Sequence, residues 1–75
     1  MNESIVAMAA EVLGMSVDEV VTHSKPLPEI DATYFWKPTR GGSAVIIDSS
    51  GEKLVAGSAI SLPVHIGAFK GGRRN

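Results

Sequence analysis

Residues 33–59, TYFWKPTRGGSAVIIDSSGEKLVAGSA, decide the fold of this chain. They hold three of its four aromatic residues, its longest β-branched run and two turn signals. Ala44, Val45, Ile46 and Ile47 form a continuous apolar run. Such a run suits a strand that is covered on both faces or paired on both edges. Before it lies an aromatic strand at about residues 32–37, closed by Pro38. Proline cannot donate to a ladder, so Pro38 suggests an edge position. Arg40-Gly41-Gly42 makes the first turn, where either glycine can take positive φ. Asp48-Ser49-Ser50-Gly51 makes the second: aspartate and serine close side-chain-to-backbone turns, and the glycine relieves a left-handed position. Residues 53–58 supply a third strand. The expectation for residues 32–59 is a three-stranded antiparallel meander.

Outward from the meander, the flanks read as helices. Towards the N-terminus, Ile5, Met8, Ala9 and Val12 recur at helical spacing, with Asn2 or Ser4 as a cap and Glu3 near the positive end of the dipole. Gly14 is placed to end this helix in a left-handed conformation, with Met15 as the apolar residue beyond it. Ser16-Val17-Asp18-Glu19 is a capping box. It opens a short helix to about His23, with Val20 and Val21 expected inward. The prolines of Ser24-Lys25-Pro26-Leu27-Pro28 forbid a further helix, so residues 24–31 read as an extended connection. Towards the C-terminus, Ser61 can cap a helix over residues 61–70, with Pro63 in its first turn. Leu62, Ile66 and Phe69 share one of its faces, and Gly67 weakens it. Gly71-Gly72 ends it and residues 71–75 read as a tail. The predicted architecture is α+β, in the order ααβββα, with the helices packed on one face of the sheet.

The chain has 75 residues, enough for one domain, which spans residues 1–75. A domain of this size buries only about 60% of its unfolded surface. Cysteine is absent, which removes disulfides, thiolate metal sites and cysteine nucleophiles, and points to a cytoplasmic setting. No apolar run approaches the roughly 20 residues of a membrane span, so no membrane association is expected. Charge is split along the chain. Residues 1–31 carry six acids and one base, a net −5; residues 32–75 carry two acids and six bases, a net +4. Such a split favours self-association or a charged partner, and a three-stranded sheet has two free edges; a homodimer is expected.

No catalytic constellation stands out. His23 and His65 lack convergent ligands, so no metal site is expected. His65 reads as a half-buried helix residue, and His23 as a group suited to the negative end of a helix. There is no G-x-S-x-G elbow and no Walker loop. The carboxylates of the meander, Asp48 and Glu52, sit together at one turn tip. The chain therefore reads as a non-enzyme without a cofactor. Helix, three strands and helix is also the order of double-stranded-RNA-binding domains, but the last helix here opens Ser61-Leu62-Pro63-Val64, without the lysines that hold phosphates.

The pattern of residues 33–72 resembles the small α+β immunity proteins of bacterial polymorphic-toxin systems and their chaperone-like relatives. Its elements are an aromatic strand with Trp36, an apolar strand ending in Asp48, a hairpin glycine at Gly51, a Gly57-Ser58 step and a helix. The resemblance implies binding of a toxin or client without catalysis, and transfers no binding residue, because the matching positions are structural.

Three function classes follow. The first is a non-catalytic protein-binding module, immunity-like or chaperone-like, acting through a sheet edge or the region from Tyr34 to Arg40. Its candidate partner-binding residues are Tyr34, Trp36, Lys37, Arg40, Arg73 and Arg74. The second is a nucleic-acid-binding accessory protein that uses the same bases with Lys70, and Tyr34 or Trp36 for stacking. The third is a subunit of a small-ligand enzyme.

Overall fold

The structure is a computed structural model that describes residues 3–38, 42–57 and 60–73. It is an α+β fold built on one antiparallel sheet. The helices are α1 (Glu3–Leu13), α2 (Val17–Thr22) and α3 (Leu62–Lys70). The strands are β1 (Ser24–Leu27), β2 (Ala32–Trp36), β3 (Ser43–Asp48) and β4 (Lys53–Gly57). Sheet order is β1-β2-β3-β4, so the expected meander of three strands has a fourth in front of it.

The added strand comes from the segment read as a connection, and Pro26 is the reason it was hidden. The Trp36 amide donates to the His23 carbonyl at 3.2 Å. Alternation from that bond makes Lys25–Tyr34 and Leu27–Ala32 the bonded pairs of the β1–β2 ladder. Pro26 falls between them, with its nitrogen towards the outer edge, where the missing N–H costs no ladder bond. Consequently β2 is an interior strand, not the edge that Pro38 suggested. Pro38 lies beyond its end. A 3₁₀ turn, Pro28–Ile30, joins β1 to β2, and Asp31 closes it in the left-handed region at φ 52°. The Asp31 carbonyl accepts from the Ser49 amide at 3.0 Å, and its carboxylate accepts from the Ser49 hydroxyl. Those bonds fasten the turn to the β3–β4 hairpin.

The local signals at Gly14, at Ser16 and at the Asp48–Gly51 hairpin hold. Gly14 has φ 65°, and the Met15 amide reaches back to the Ala10 carbonyl at 3.0 Å, which closes α1. The Ser16 hydroxyl accepts from the Glu19 amide at 3.2 Å. Its own proton goes to the Glu19 carboxylate, also at 3.2 Å. At the hairpin, Asp48 Oδ1 accepts from the amides of Ser50 and Glu52, both at 3.0 Å, and Gly51 has φ 90°. Arg40 and Gly41 of the first turn lie outside the described residues, as do Asn2, Ser58 and Arg74. At α3, Ser61 occupies the cap position, but its side chain makes no capping hydrogen bond.

Helices cover both faces of the sheet, which corrects the expectation that they share one. Phe35, Val45 and Ile47 point to one side and pack with Ile5, Val6, Ala9, Leu13 and Val20 of α1 and α2. On the other side Ile46 packs with Leu27 and Phe69, joined by Tyr34, Leu54 and Ile66. The cause is the uninterrupted apolar run of β3. Consecutive strand residues point to opposite faces, so Val45, Ile46 and Ile47 bury completely only if both faces are covered. The strand is also paired on both edges. Within α2, Val20 is fully buried, whereas Val21 is exposed, contrary to its expected inward position. Neighbours on a helix lie about 100° apart, and a two-turn helix has room for one inward valine.

Gly67 is exposed in the middle of α3, and a Cβ there would meet nothing within 4 Å. Gly67→Ala is therefore expected to stabilise the protein by about 0.5–1 kcal/mol, because alanine loses less backbone entropy on folding. Urea unfolding checks it; an unchanged or lower midpoint would count against the helical backbone described for this position.

Candidate aromatic binding face

The side of the sheet covered by α3 carries the residues of interest. Tyr34 lies opposite Ile46, and Trp36 opposite Ala44, so both project to this face. Their rings stack, with centroids 5.6 Å apart and planes inclined by 23°. Each is only partly buried. A histidine stands at each end of the pair. His23, just after α2, meets the Trp36 ring edge-on at 5.7 Å and 83°. His65, from α3, meets Tyr34 edge-on at 5.9 Å and 83°. The result is a row of four rings, His23–Trp36–Tyr34–His65, contributed by three elements of the fold.

Both ends of the row are anchored to backbone. His23 Nδ1 lies 2.9 Å from the Glu19 carbonyl, and His65 Nε2 lies 2.7 Å from the Leu54 carbonyl. A carbonyl only accepts, so each of these nitrogens carries the proton and donates it. The Glu19 carbonyl also accepts from the His23 amide at 3.0 Å, so one carbonyl in the last turn of α2 holds both the backbone and the ring of this residue. His65 is 2% exposed, more deeply placed than the half-buried residue expected from sequence. Ring contacts of this edge and stacked type contribute roughly 0.5–1.5 kcal/mol each beyond area burial. They also fix the rings relative to one another.

The expected partner-binding residues do not all gather here. Tyr34 and Trp36 do. Lys37 continues the β2–β3 ladder, its amide donating to the Ser43 carbonyl at 3.0 Å. Alternation therefore turns its side chain towards the α1–α2 side, away from Trp36. Arg73 lies past α3. Read from sequence as part of a tail, it is instead tied down: its amide donates to the Ala68 carbonyl at 3.1 Å, around Gly72 at φ 94°. It lines a cleft with Leu54, Ala56, Ile60, Val64 and Ala68. Arg40 and Arg74 lie outside the described residues. The i, i+2 spacing of Tyr34 and Trp36 was enough to put them on one face. The two histidines could not be added from sequence, because their contribution depends on strand order and on which face α3 covers.

Among the described residues, no three of His, Asp and Glu gather in a group that could hold a metal ion, and no helix is long and apolar enough to cross a membrane. The chain matches no known family model, no curated protein and no solved structure.

Proposed function

We propose that this chain is a non-catalytic protein-binding module and that Trp36 and Tyr34 form the centre of its binding face. The observation that carries the reading is the incomplete burial of a tryptophan that is nonetheless held between two rings. Tryptophan and tyrosine dominate the energetics of protein interfaces, since each brings a large apolar area at the cost of few rotatable bonds. Here that cost is lowered further, because the stack is supported at both ends before any partner arrives. The specific form of the reading is immunity-like or chaperone-like: a toxin or client protein is bound and held, with no chemistry done on it. A cytoplasmic setting agrees with a chain that has no cysteine. Lys37 faces away from the aromatic pair, which takes one base from the basic-plus-aromatic cluster on which a nucleic-acid reading would draw.

The test uses the protein encoded next to this one as the candidate partner. Trp36 is the single tryptophan, so its emission reports binding directly. Titration should shift that emission, and Trp36→Ala should weaken binding, measured by calorimetry, by at least about tenfold, in line with a loss of about 2 kcal/mol at an interface hot spot. Binding by wild type and Trp36→Ala with equal affinity would sink the reading. So would growth protection in co-expression that survives the same substitution.

A further inference from the structure

Four large apolar side chains are exposed among the described residues: Val17 (51%), Val21 (49%), Ile60 (44%) and Val64 (60%). They form two patches on opposite sides of the sheet. Val17 and Val21 of α2 line a cleft of about 430 Å³ with Val6 of α1, and Glu3 stands at it. Ile60 and Val64 line a cleft of about 240 Å³ between β4 and α3, together with Leu54, Ala56, Ala68 and Arg73. Each patch sits in a layer of one charge sign. Residues 3–22 hold Glu3, Glu11, Asp18 and Glu19 and no base; residues 60–73 hold Lys70 and Arg73 and no acid.

We infer that the two patches are the two halves of one contact, and that the occupant of each is a second copy of this chain, arranged head to tail. Apolar area matches apolar area, and an acidic rim meets a basic one. Pairing either patch with itself would bring two acidic layers, or two basic ones, together, so the charges disfavour a symmetric dimer through either surface. A contact between two different surfaces does not close after two copies. Because the patches lie on opposite sides of the sheet, it propagates into a ring or a chain of subunits. Trp36 belongs to neither cleft, so the inference stands apart from the partner-binding reading.

Sedimentation velocity of three proteins tests it: wild type, Val64→Asp, and the double variant Val17→Asp with Val21→Asp. The substituted positions are exposed, and circular dichroism checks that each variant is folded. Wild-type mass should rise past that of a dimer as concentration increases towards about 1 mM, and the association should weaken at least about tenfold between ~0.05 and ~0.5 M salt, as charged rims are screened. Each variant alone should stay monomeric. Their equimolar mixture should form a dimer and nothing larger, because each retains one intact and complementary surface. A wild type that is monomeric throughout overturns the inference. So does a wild-type dimer that fails to grow, or a mixture that does not associate.

Discussion

Phe35→Ala is expected to lower the urea midpoint of this protein to about three quarters of its wild-type value or less. Phe35 is fully buried, and it stands opposite Val45 on the face that packs against α1 and α2. Ile5, Val6, Ala9, Leu13, Val20 and Ile47 complete its cluster. Truncating a buried phenylalanine costs about 3–5 kcal/mol, the sum of lost transfer energy and the cavity left behind. Folded domains hold roughly 0.05–0.15 kcal/mol per residue, which for a chain of this length is about 4–11 kcal/mol in total. One side chain therefore carries between about a quarter and all of the stability. Phe35→Leu, which keeps most of the volume, should cost no more than about 1.5 kcal/mol. A Phe35→Ala midpoint within a tenth of wild type would mean that the α1–α2 layer is not seated on this face. The neighbours behave differently. Tyr34 and Trp36 point the other way and are only partly buried, so Trp36→Ala leaves this cluster intact. That alternation is what allows the binding reading to be tested in a folded protein.

The parts of the fold that could be read in the sequence are those decided within a few residues. Gly14 and Met15 end α1, Ser16 and Glu19 start α2, and Asp48 to Gly51 turn β3 into β4; in each case the bonding groups lie within five positions of one another. The strand β3 was legible for a second reason, since a run apolar at both parities has few other uses. What failed depended on distant partners. Pro26 argues against a strand until the register shows its nitrogen facing away from β2. Val21 is as apolar as Val20, and only the position of β2 and α1 decides which of the two is buried. The placement of α3 was lost for the same reason. Nothing in Leu62, Ile66 and Phe69 says which side of the sheet they cover, whereas the two-sided burial of β3 requires that something cover each. The aromatic face shows both cases at once: Tyr34 and Trp36 were legible as a pair, and the histidines that complete the row were not.

His65 gives the second large effect, and the argument turns on which of its properties matters. His65→Ala is expected to cost about 2–4 kcal/mol, and His65→Phe only about 1 kcal/mol. The imidazole is nearly fully buried beside Leu54 and Tyr34, so alanine leaves a void between α3 and the sheet. Phenylalanine fills that space but cannot donate to the Leu54 carbonyl. That loss is small for a structural reason. The Asp48 amide donates to the Glu52 carbonyl at 3.0 Å, and alternation from this bond makes Ile46 and Leu54 a bonded pair of the β3–β4 ladder. The Leu54 carbonyl therefore keeps its ladder partner when the histidine donor is gone. A carbonyl that remains bonded avoids the desolvation penalty that an orphaned one would suffer. The same difference should reach Trp36 through Tyr34. With His65→Phe the edge contact on Tyr34 persists, and the emission maximum of Trp36 should stay where it is in wild type. With His65→Ala the Tyr34 ring loses its support, and the emission should move to longer wavelength as Trp36 becomes more solvated. If His65→Phe proved as destabilising as His65→Ala, the hydrogen bond rather than the ring would be holding α3 against β4. The row of rings would then have to be read as a consequence of that bond.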